Sequence, residues 1–247
     1  MILYAAEVIP ISFSDYPKEP CCVIFLAGCN FNCGYCQNWK LKKISKEYET
    51  NIEKIKEMIS KNNLITACKI TGGEPLLQYE AVMEIGKFVK LLKLKFGIDT
   101  NASLPNALRK VIPLLDLISI DIKAALNRDA YLKIIGVDPP LSSIKESLEI
   151  ALKSNAYVDI RIPVIPGYND DLETIRSIEK TLIELGYEEK AEKNMASITL
   201  LEFVPENAHF EEFKKLRNPS LEDLMKLKSY FKIKNVKISH RLYSNYG

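Results

Sequence analysis

The feature that most constrains the fold is a repeated alternation of strand-like and helix-like segments. Six short apolar runs rich in β-branched residues occupy residues 22–27, 67–71, 96–100, 117–121, 158–164 and 198–204. Each run is followed by a segment whose apolar residues have helical spacing, at residues 51–61, 77–94, 104–111, 144–152, 172–185 and 221–231. Strands that alternate with helices predict an α/β fold with a parallel sheet and crossover helices.

The number of these units predicts an incomplete barrel. Eight strand–helix units close a full (β/α) barrel, so six units predict a partial, TIM-like (β/α)6 barrel. A seventh short apolar run follows at residues 236–239. No Pro/Gly/Ser-rich linker divides the 247 residues, so we expect one domain over residues 1–247.

Three helix starts carry capping signals. Thr50 with Glu53 and Ser143 with Glu146 have the spacing of a capping box. Ser220 precedes an acidic first turn and is predicted to be an N-cap.

Composition and charge exclude several classes of protein. The chain is 47% hydrophobic and 27% charged, which is typical of a folded protein and not of a disordered one. A net charge of +2 gives no reason to expect nucleic acid. No apolar run is long enough to span a membrane, and the N-terminus lacks the basic start of a signal peptide, so we expect a cytoplasmic protein. Basic residues are in excess at 214–247 and acidic residues at 170–192, which indicates solvated helix faces or a docking surface for a charged partner.

All six cysteines lie in the first 68 residues, and three of them form a C-x3-C-x2-C motif at Cys29, Cys33 and Cys36. The motif lies in the long irregular segment 28–48, and thiolates at this spacing can converge on one cluster. A zinc site completed by a distant residue, or coincidence, stays open. The other three, Cys21, Cys22 and Cys68, lie in strand-like runs and are expected to be buried apolar thiols.

A second motif, Gly72-Gly73-Glu74, follows the second strand-like run and precedes Pro75. Two glycines allow a backbone to approach a ligand closely, and the Glu74 carboxylate suits a cationic group such as an ammonium. The alternative interpretation is a structural turn with Pro75 at the start of the next helix.

Together the two motifs resemble those of the radical S-adenosylmethionine (SAM) superfamily. The resemblance implies that Cys29, Cys33 and Cys36 hold a [4Fe–4S] cluster, with the amino acid part of SAM on the fourth iron. It also implies that Tyr35 packs near the adenine and that Gly72, Gly73 and Glu74 bind the SAM amino group.

Further motifs resemble one branch, the activating enzymes of glycyl-radical proteins of the pyruvate formate-lyase and anaerobic ribonucleotide reductase types. The similar segments are Gly28-Cys29-Asn30 with Gln37-Asn38, Asp99-Thr100-Asn101, Asp121-Ile122-Lys123, and Arg161 with residues 164–170. The resemblance implies that SAM is bound by Tyr35, Cys36, Gln37, Gly72, Gly73, Glu74, Asp99, Asn101, Asp121, Lys123 and Arg161.

Simpler roles stay open for the charged members of this set. Asp121 and Lys123 are also explained by an ion pair at a strand end. Arg161 is also explained as a structural charge inside the barrel, and Asp99 as a cap of the next turn.

Two positions depart from the pattern of that branch. Asn101 is followed by Ala102, where the family usually has Gly. In the pyruvate formate-lyase type, a His that contacts SAM follows a proline that resembles Pro205, and here that position is Asn207, with His209 two residues later.

The resemblance implies an oxidoreductase with one cluster. A low-potential donor, flavodoxin or ferredoxin, reduces the cluster, SAM is cleaved to methionine and a 5′-deoxyadenosyl radical, and the radical takes a hydrogen from a glycine of a partner glycyl-radical enzyme. One alternative is a radical SAM enzyme for a small molecule or nucleoside, of the 7-deazapurine synthase type. The other is a non-catalytic iron–sulfur protein.

Overall fold

A computed structural model describes residues 1–241 and 243–244 and contains one ten-stranded sheet. The strands are β1 (Ile2–Ser12), β2 (Cys21–Leu26), β3 (Glu49–Asn51), β4 (Ala67–Gly72), β5 (Lys95–Thr100), β6 (Leu117–Asp121), β7 (Tyr157–Val164), β8 (Ala196–Glu202), β9 (Val236–His240) and β10 (Tyr243–Ser244). Their order across the sheet is β10-β9-β8-β7-β6-β5-β4-β2-β1-β3.

Helices connect the strands. They are α1 (Ile52–Ser60), α2 (Tyr79–Leu91), α3 (Pro105–Val111), α4 (Arg128–Ile135), α5 (Leu141–Lys153), α6 (Leu172–Glu184), α7 (Tyr187–Glu192), α8 (Glu211–Lys214) and α9 (Leu221–Tyr230). Short 3-10 turns occupy Trp39–Lys42, Lys46–Tyr48, Pro75–Gln78, Ile112–Leu114 and Pro205–Asn207.

The six predicted strand–helix units are confirmed. Strands β2, β4, β5, β6, β7, β8 and β9 are parallel neighbours in chain order, and β9 is the seventh apolar run. Successive parallel strands connected by helices curve into part of a barrel and present all their carboxyl ends at one edge. In the part of the chain that the structure describes, β10 and β3 are the two ends of the sheet, so the barrel is open.

Several elements were not predicted from the sequence, and two predicted helix caps are wrong. Strand β1 pairs antiparallel with β2 and β3, and helices α4, α7 and α8 were not predicted. Thr50 is not the cap of α1, because it pairs with Leu3 in the sheet, and Asn51 caps the helix instead. Helix α5 begins at Leu141, so Ser143 lies inside it. Ser220 does cap α9, in a capping box with Asp223.

The core lies on both faces of the sheet. The larger cluster packs the outer face of the strands against the helices, and it contains Cys22 and Cys68. A smaller cluster inside the barrel gathers Tyr16, Cys21, Val23, Ala67 and Leu117. The prediction that Cys21, Cys22 and Cys68 are buried is therefore confirmed. No helix among the described residues is long and apolar enough to cross a membrane.

Candidate active site

The cysteine loop is held by main-chain hydrogen bonds on both sides. On one side, Gly28 N donates to Leu41 O at 2.7 Å and Cys29 N donates to Lys42 O at 3.0 Å. On the other side, Asn32 N donates to Ile135 O at 2.8 Å, at the end of α4. The last carbonyls of a helix have no hydrogen-bond partner within the helix. The amide of Asn32 therefore supplies a partner for the last carbonyl of α4, and this hydrogen bond holds the cysteine loop in place.

The two glycines of the second motif let β4 end directly against the cysteine loop. Gly72 has a φ of +121°, and a Cβ there would overlap the main chain of Leu26. A Cβ on Gly73 would overlap the carbonyl oxygen of Gly28. Gly73 N donates to Leu26 O at 2.9 Å and Glu74 N to Gly28 O at 2.7 Å. The absence of side chains at Gly72 and Gly73 therefore lets the end of β4 pack directly against the main chain at Leu26 and Gly28, and both glycines also line the cavity described below.

Side chains also connect the cysteine loop to the loop after β5. Asn101 Nδ2 donates to Asn30 Oδ1 at 2.9 Å, and Asn30 Nδ2 donates to Ser103 Oγ at 2.8 Å. Ala102 has a φ of +62°, in the left-handed region that favours glycine. Ala102 thus adopts the left-handed conformation at the position where the family usually has Gly.

A cavity of about 420 Å³ opens at the carboxyl ends of the strands. It is lined by every predicted site residue except Glu74, that is by Cys29, Cys33, Tyr35, Cys36, Gln37, Gly72, Gly73, Asp99, Asn101, Asp121, Lys123 and Arg161. Trp39 and His209 also line it, whereas Asn207 does not. Asn207 and His209 were the two candidates for the position of the SAM-contacting His of the pyruvate formate-lyase type, and of these two the structure brings His209 to the cavity.

Glu74 lies behind the cavity wall. Its side chain is fully buried, and its carboxylate accepts from Leu76 N at 3.0 Å, Thr100 Oγ1 at 2.8 Å and Asn101 N at 2.7 Å. Burial raises its pKa to about 7, although these three hydrogen bonds favour the charged form. The carboxylate thus fixes the turn at Asn101, and a direct contact with an ammonium group stays a prediction.

Asp121 and Lys123 form the predicted ion pair, with Lys123 Nζ 3.0 Å from Asp121 Oδ2. The same Nζ donates to Tyr35 OH at 2.9 Å, so it connects the end of β6 to the cysteine loop. Burial opposes the charged amine, yet Asp121 and Tyr35 keep the pKa of Lys123 well above its usual value. The ammonium is therefore a fixed positive charge at the cavity wall.

Two acids and two bases alternate inside the barrel, and two of them, Asp99 and Arg161, also line the cavity. Lys69 Nζ lies 2.7 Å from Asp99 Oδ1, and Arg161 lies 3.2 Å from the same oxygen and 2.9 Å from Asp159 Oδ2. Lys69 is fully buried and also donates to Asp15 O at 2.7 Å. Although burial opposes it, Arg161 and Lys69 hold the pKa of Asp99 below its usual range. Arg161 thus has the role of a structural charge inside the barrel that was considered for it, and Asp99 belongs to the same buried charge network.

Lys69 and Asn169 are the site-supporting residues that the sequence analysis missed. Asn169 is fully buried, donates to Lys123 O at 2.8 Å and to Pro163 O at 2.7 Å, and accepts from Ile165 N at 2.7 Å. It therefore connects the carboxyl ends of β6 and β7. A signal was present for Lys69, which is a lysine in the middle of an apolar strand-like run.

The three cavity thiols suit a cluster better than a single metal ion. Burial raises the pKa of all three, to about 12 for Cys33. Metal binding must therefore displace their protons. Among residues 1–241, no three His, Cys, Asp or Glu side chains converge closely enough for one ion. Three thiolates around a larger iron–sulfur cluster leave one iron open, and the nearby charged groups suit a zwitterionic ligand.

Comparisons with known proteins agree with this chemistry. Residues 23–178 match the model of the radical SAM superfamily. A Methanocaldococcus jannaschii protein with the provisional name of glycyl-radical enzyme activating enzyme is 32% identical over 89% of this chain and 88% of its own. The pyruvate formate-lyase-activating enzyme of Staphylococcus epidermidis is 29% identical over 69% of this chain and 72% of its own. A 7-carboxy-7-deazaguanine synthase of Methanothermobacter thermautotrophicus is 34% identical over 51% of this chain and 52% of its own.

Solved structures share the fold at low sequence identity. Streptococcus suis SuiB bound to its precursor peptide SuiA matches 88% of this chain with a TM-score of 0.66 and 16% identity. This chain spans about half the length of the SuiB chains that it matches. QueE from Escherichia coli matches 98% of this chain and 95% of its own with a TM-score of 0.56 and 13% identity.

Proposed function

The chain belongs to the radical SAM superfamily, and on that premise we propose that it activates a glycyl-radical enzyme by removing a hydrogen from a glycine of that partner. The observation that carries the proposal is the relative with the provisional activating-enzyme name, which matches almost the whole length of both chains. The open barrel supports the same proposal, because a peptide loop must reach the cavity at its centre.

The family uses a [4Fe–4S] cluster and SAM, which together supply a 5′-deoxyadenosyl radical when they are bound and reduced. Cys29, Cys33 and Cys36 are the proposed cluster ligands, and each gives up a thiol proton to bind iron. The residues of this chain orient the cofactors and exclude water from the cavity.

The proposed SAM-binding residues are those that line the cavity: Tyr35, Gln37, Gly72, Gly73, Asp99, Asn101, Asp121, Lys123 and Arg161. Opposite charges at Asp121 and Lys123 suit a ligand that carries both an ammonium and a carboxylate. Glu74 supports these residues indirectly, because its carboxylate accepts a hydrogen bond from Asn101 N and holds that turn in place.

The test is electron paramagnetic resonance on an anaerobic mixture of reduced enzyme, SAM and a glycyl-radical protein from the same organism. A glycyl doublet in the partner supports the proposal. The Cys36→Ala variant should give no signal, while the matched Cys21→Ala variant should give the signal of the natural protein.

A second candidate is a small-molecule enzyme of the 7-deazapurine type. The 34% identity to the 7-carboxy-7-deazaguanine synthase supports it, although this match covers only half of each chain. Rapid consumption of SAM with a purine precursor, together with no radical in the partner protein, would favour this candidate.

A further inference from the structure

Three exposed lysines follow the third cluster cysteine within ten residues. We call Lys40, Lys43 and Lys46 the lysine rim. No acidic residue lies between Cys36 and Glu47, so this segment carries a purely positive charge. The segment also exposes apolar surface, since Ile44 is 52% exposed and Trp39 is 36% exposed.

The lysine rim is fixed beside the proposed cluster ligands. Its chain is tied to Gly28 and Cys29 through the carbonyls of Leu41 and Lys42. The Trp39 ring stacks on His209 at 5.0 Å between centroids and 9° between planes, and both rings line the cavity. The rim is therefore a defined surface next to the cysteine loop.

The lysine rim lacks acidic partners, although the Lys40 ammonium lies 5.7 Å from the centre of the Trp39 ring. Among the described residues, no ion pair is found for any of its three lysines, whereas Lys61, Lys153 and Lys193 each pair with an acid one turn away. Burial, and then the positive charges of Lys42 and Lys214, lower the pKa of His209, whose ring stacks on Trp39 beside the rim. Such a surface attracts an acidic partner and accelerates its association.

We propose that the lysine rim is the docking surface of an acidic one-electron donor protein of the flavodoxin type. This inference rests on the proposed function, which requires a reduced cluster. One electron leaves the donor, which is thereby oxidised, and reduces the cluster held by the three cysteines. Electron transfer falls steeply with distance, so the donor needs a surface beside the cysteine loop.

The lysines just before β9, which belong to the larger basic stretch of the chain, lie away from the cavity. Lys232 and Lys234 precede β9, and the amino ends of the parallel strands lie at the edge opposite the cavity. Lys232 and Lys234 at this edge, together with Lys226 in helix α9, are also exposed and form a matched control for charge.

The experiment compares two triple variants, Lys40→Glu/Lys43→Glu/Lys46→Glu and Lys226→Glu/Lys232→Glu/Lys234→Glu, which change the net charge equally. Binding of oxidised flavodoxin to the anaerobically reconstituted enzyme is measured by calorimetry at low and moderate salt. The rim variant should bind about tenfold or more weakly at low salt and lose most of its salt dependence, while the control should stay within about twofold of the natural protein.

SAM cleavage with dithionite separates this inference from the proposed function. The rim variant should cleave SAM normally with dithionite and slowly with photoreduced flavodoxin. Equal flavodoxin affinity in the rim variant and the control would overturn the docking surface and leave the proposed function intact. If the rim variant cleaves SAM equally slowly with dithionite and with photoreduced flavodoxin, the lysines act within the active site. That result would also overturn the docking surface.

Discussion

Replacing Lys69 with Met tests whether the charge network inside the barrel stabilises the fold. Lys69, Arg161, Asp99 and Asp159 balance to zero charge, and Lys69 is fully buried 2.7 Å from Asp99. At an effective dielectric constant near 20, that pair alone is worth about 6 kcal/mol before desolvation is subtracted. Because Met leaves the two buried acids Asp99 and Asp159 to share the single charge of Arg161, the free energy of unfolding should fall by about 3–5 kcal/mol.

The assay is urea unfolding of the metal-free protein followed by circular dichroism. Adding Asp99→Asn to Lys69→Met restores the charge balance, so the double variant should lose about 2 kcal/mol less than the sum of the two single losses. Lys180→Met is the control, because Lys180 is exposed and its ion pair with Glu184 is 4.0 Å long. A loss below about 1 kcal/mol for Lys69→Met, or additive losses in the double variant, would refute the reasoning.

Three further predictions concern the site and its supports. Burial raises the folded-state pKa of Glu74 to about 7, so ionising it destabilises the fold. This loss of stability is absent below pH 4.5, grows as the pH rises to about 7 and reaches up to about 3 kcal/mol. The Glu74→Gln variant should lack this pH dependence in urea unfolding curves. Gly73→Ala should displace the cysteine loop, because the new Cβ overlaps Gly28 O, and should lower the iron content after reconstitution. The control Gly167→Ala strains the backbone at a φ of +79° and costs about 1 kcal/mol of stability, but its Cβ meets no atom within 4 Å, so it should keep the iron content. Ser220→Ala removes the N-cap of α9 and should lower the free energy of unfolding by about 1 kcal/mol. In the natural protein, the hydrogen bond from Arg217 lowers the folded-state pKa of Asp223 to about 2, so the stability that the Asp223 carboxylate contributes should be lost as the pH falls from 3.8 to about 2.

The parallel part of the fold was predictable because each strand is a short β-branched run and each helix buries one face. Strand β1 was missed although its sequence is largely apolar, because Glu7 and Pro10 interrupt the strand pattern and most of its residues are only partly buried. Helix α4 was missed although Asn127 caps its start and Gly136 its end, which are signals that the sequence does contain. The cap at Thr50 failed because strand pairing with β1 outcompeted the local capping signal.

The site was predictable at the level of residues and less so at the level of roles. The motif residues come together because they all follow carboxyl ends of parallel strands. The burial of Glu74 behind the wall depends on the turn at Thr100 and Asn101, which is distant in sequence. The network around Lys69 joins β4, β5 and β7, and spacing along the chain carries no signal for such contacts.

The most direct test of the account is the cluster content of cysteine variants after anaerobic reconstitution, measured as iron and sulfide per chain together with 5′-deoxyadenosine formed from SAM on reduction. The natural protein and the Cys68→Ala variant should hold about four irons and four sulfides and form 5′-deoxyadenosine. The Cys29→Ala, Cys33→Ala and Cys36→Ala variants should each lose the cluster and the product. A full cluster in the Cys33→Ala variant, or no 5′-deoxyadenosine from the natural protein with its cluster intact, would contradict the account.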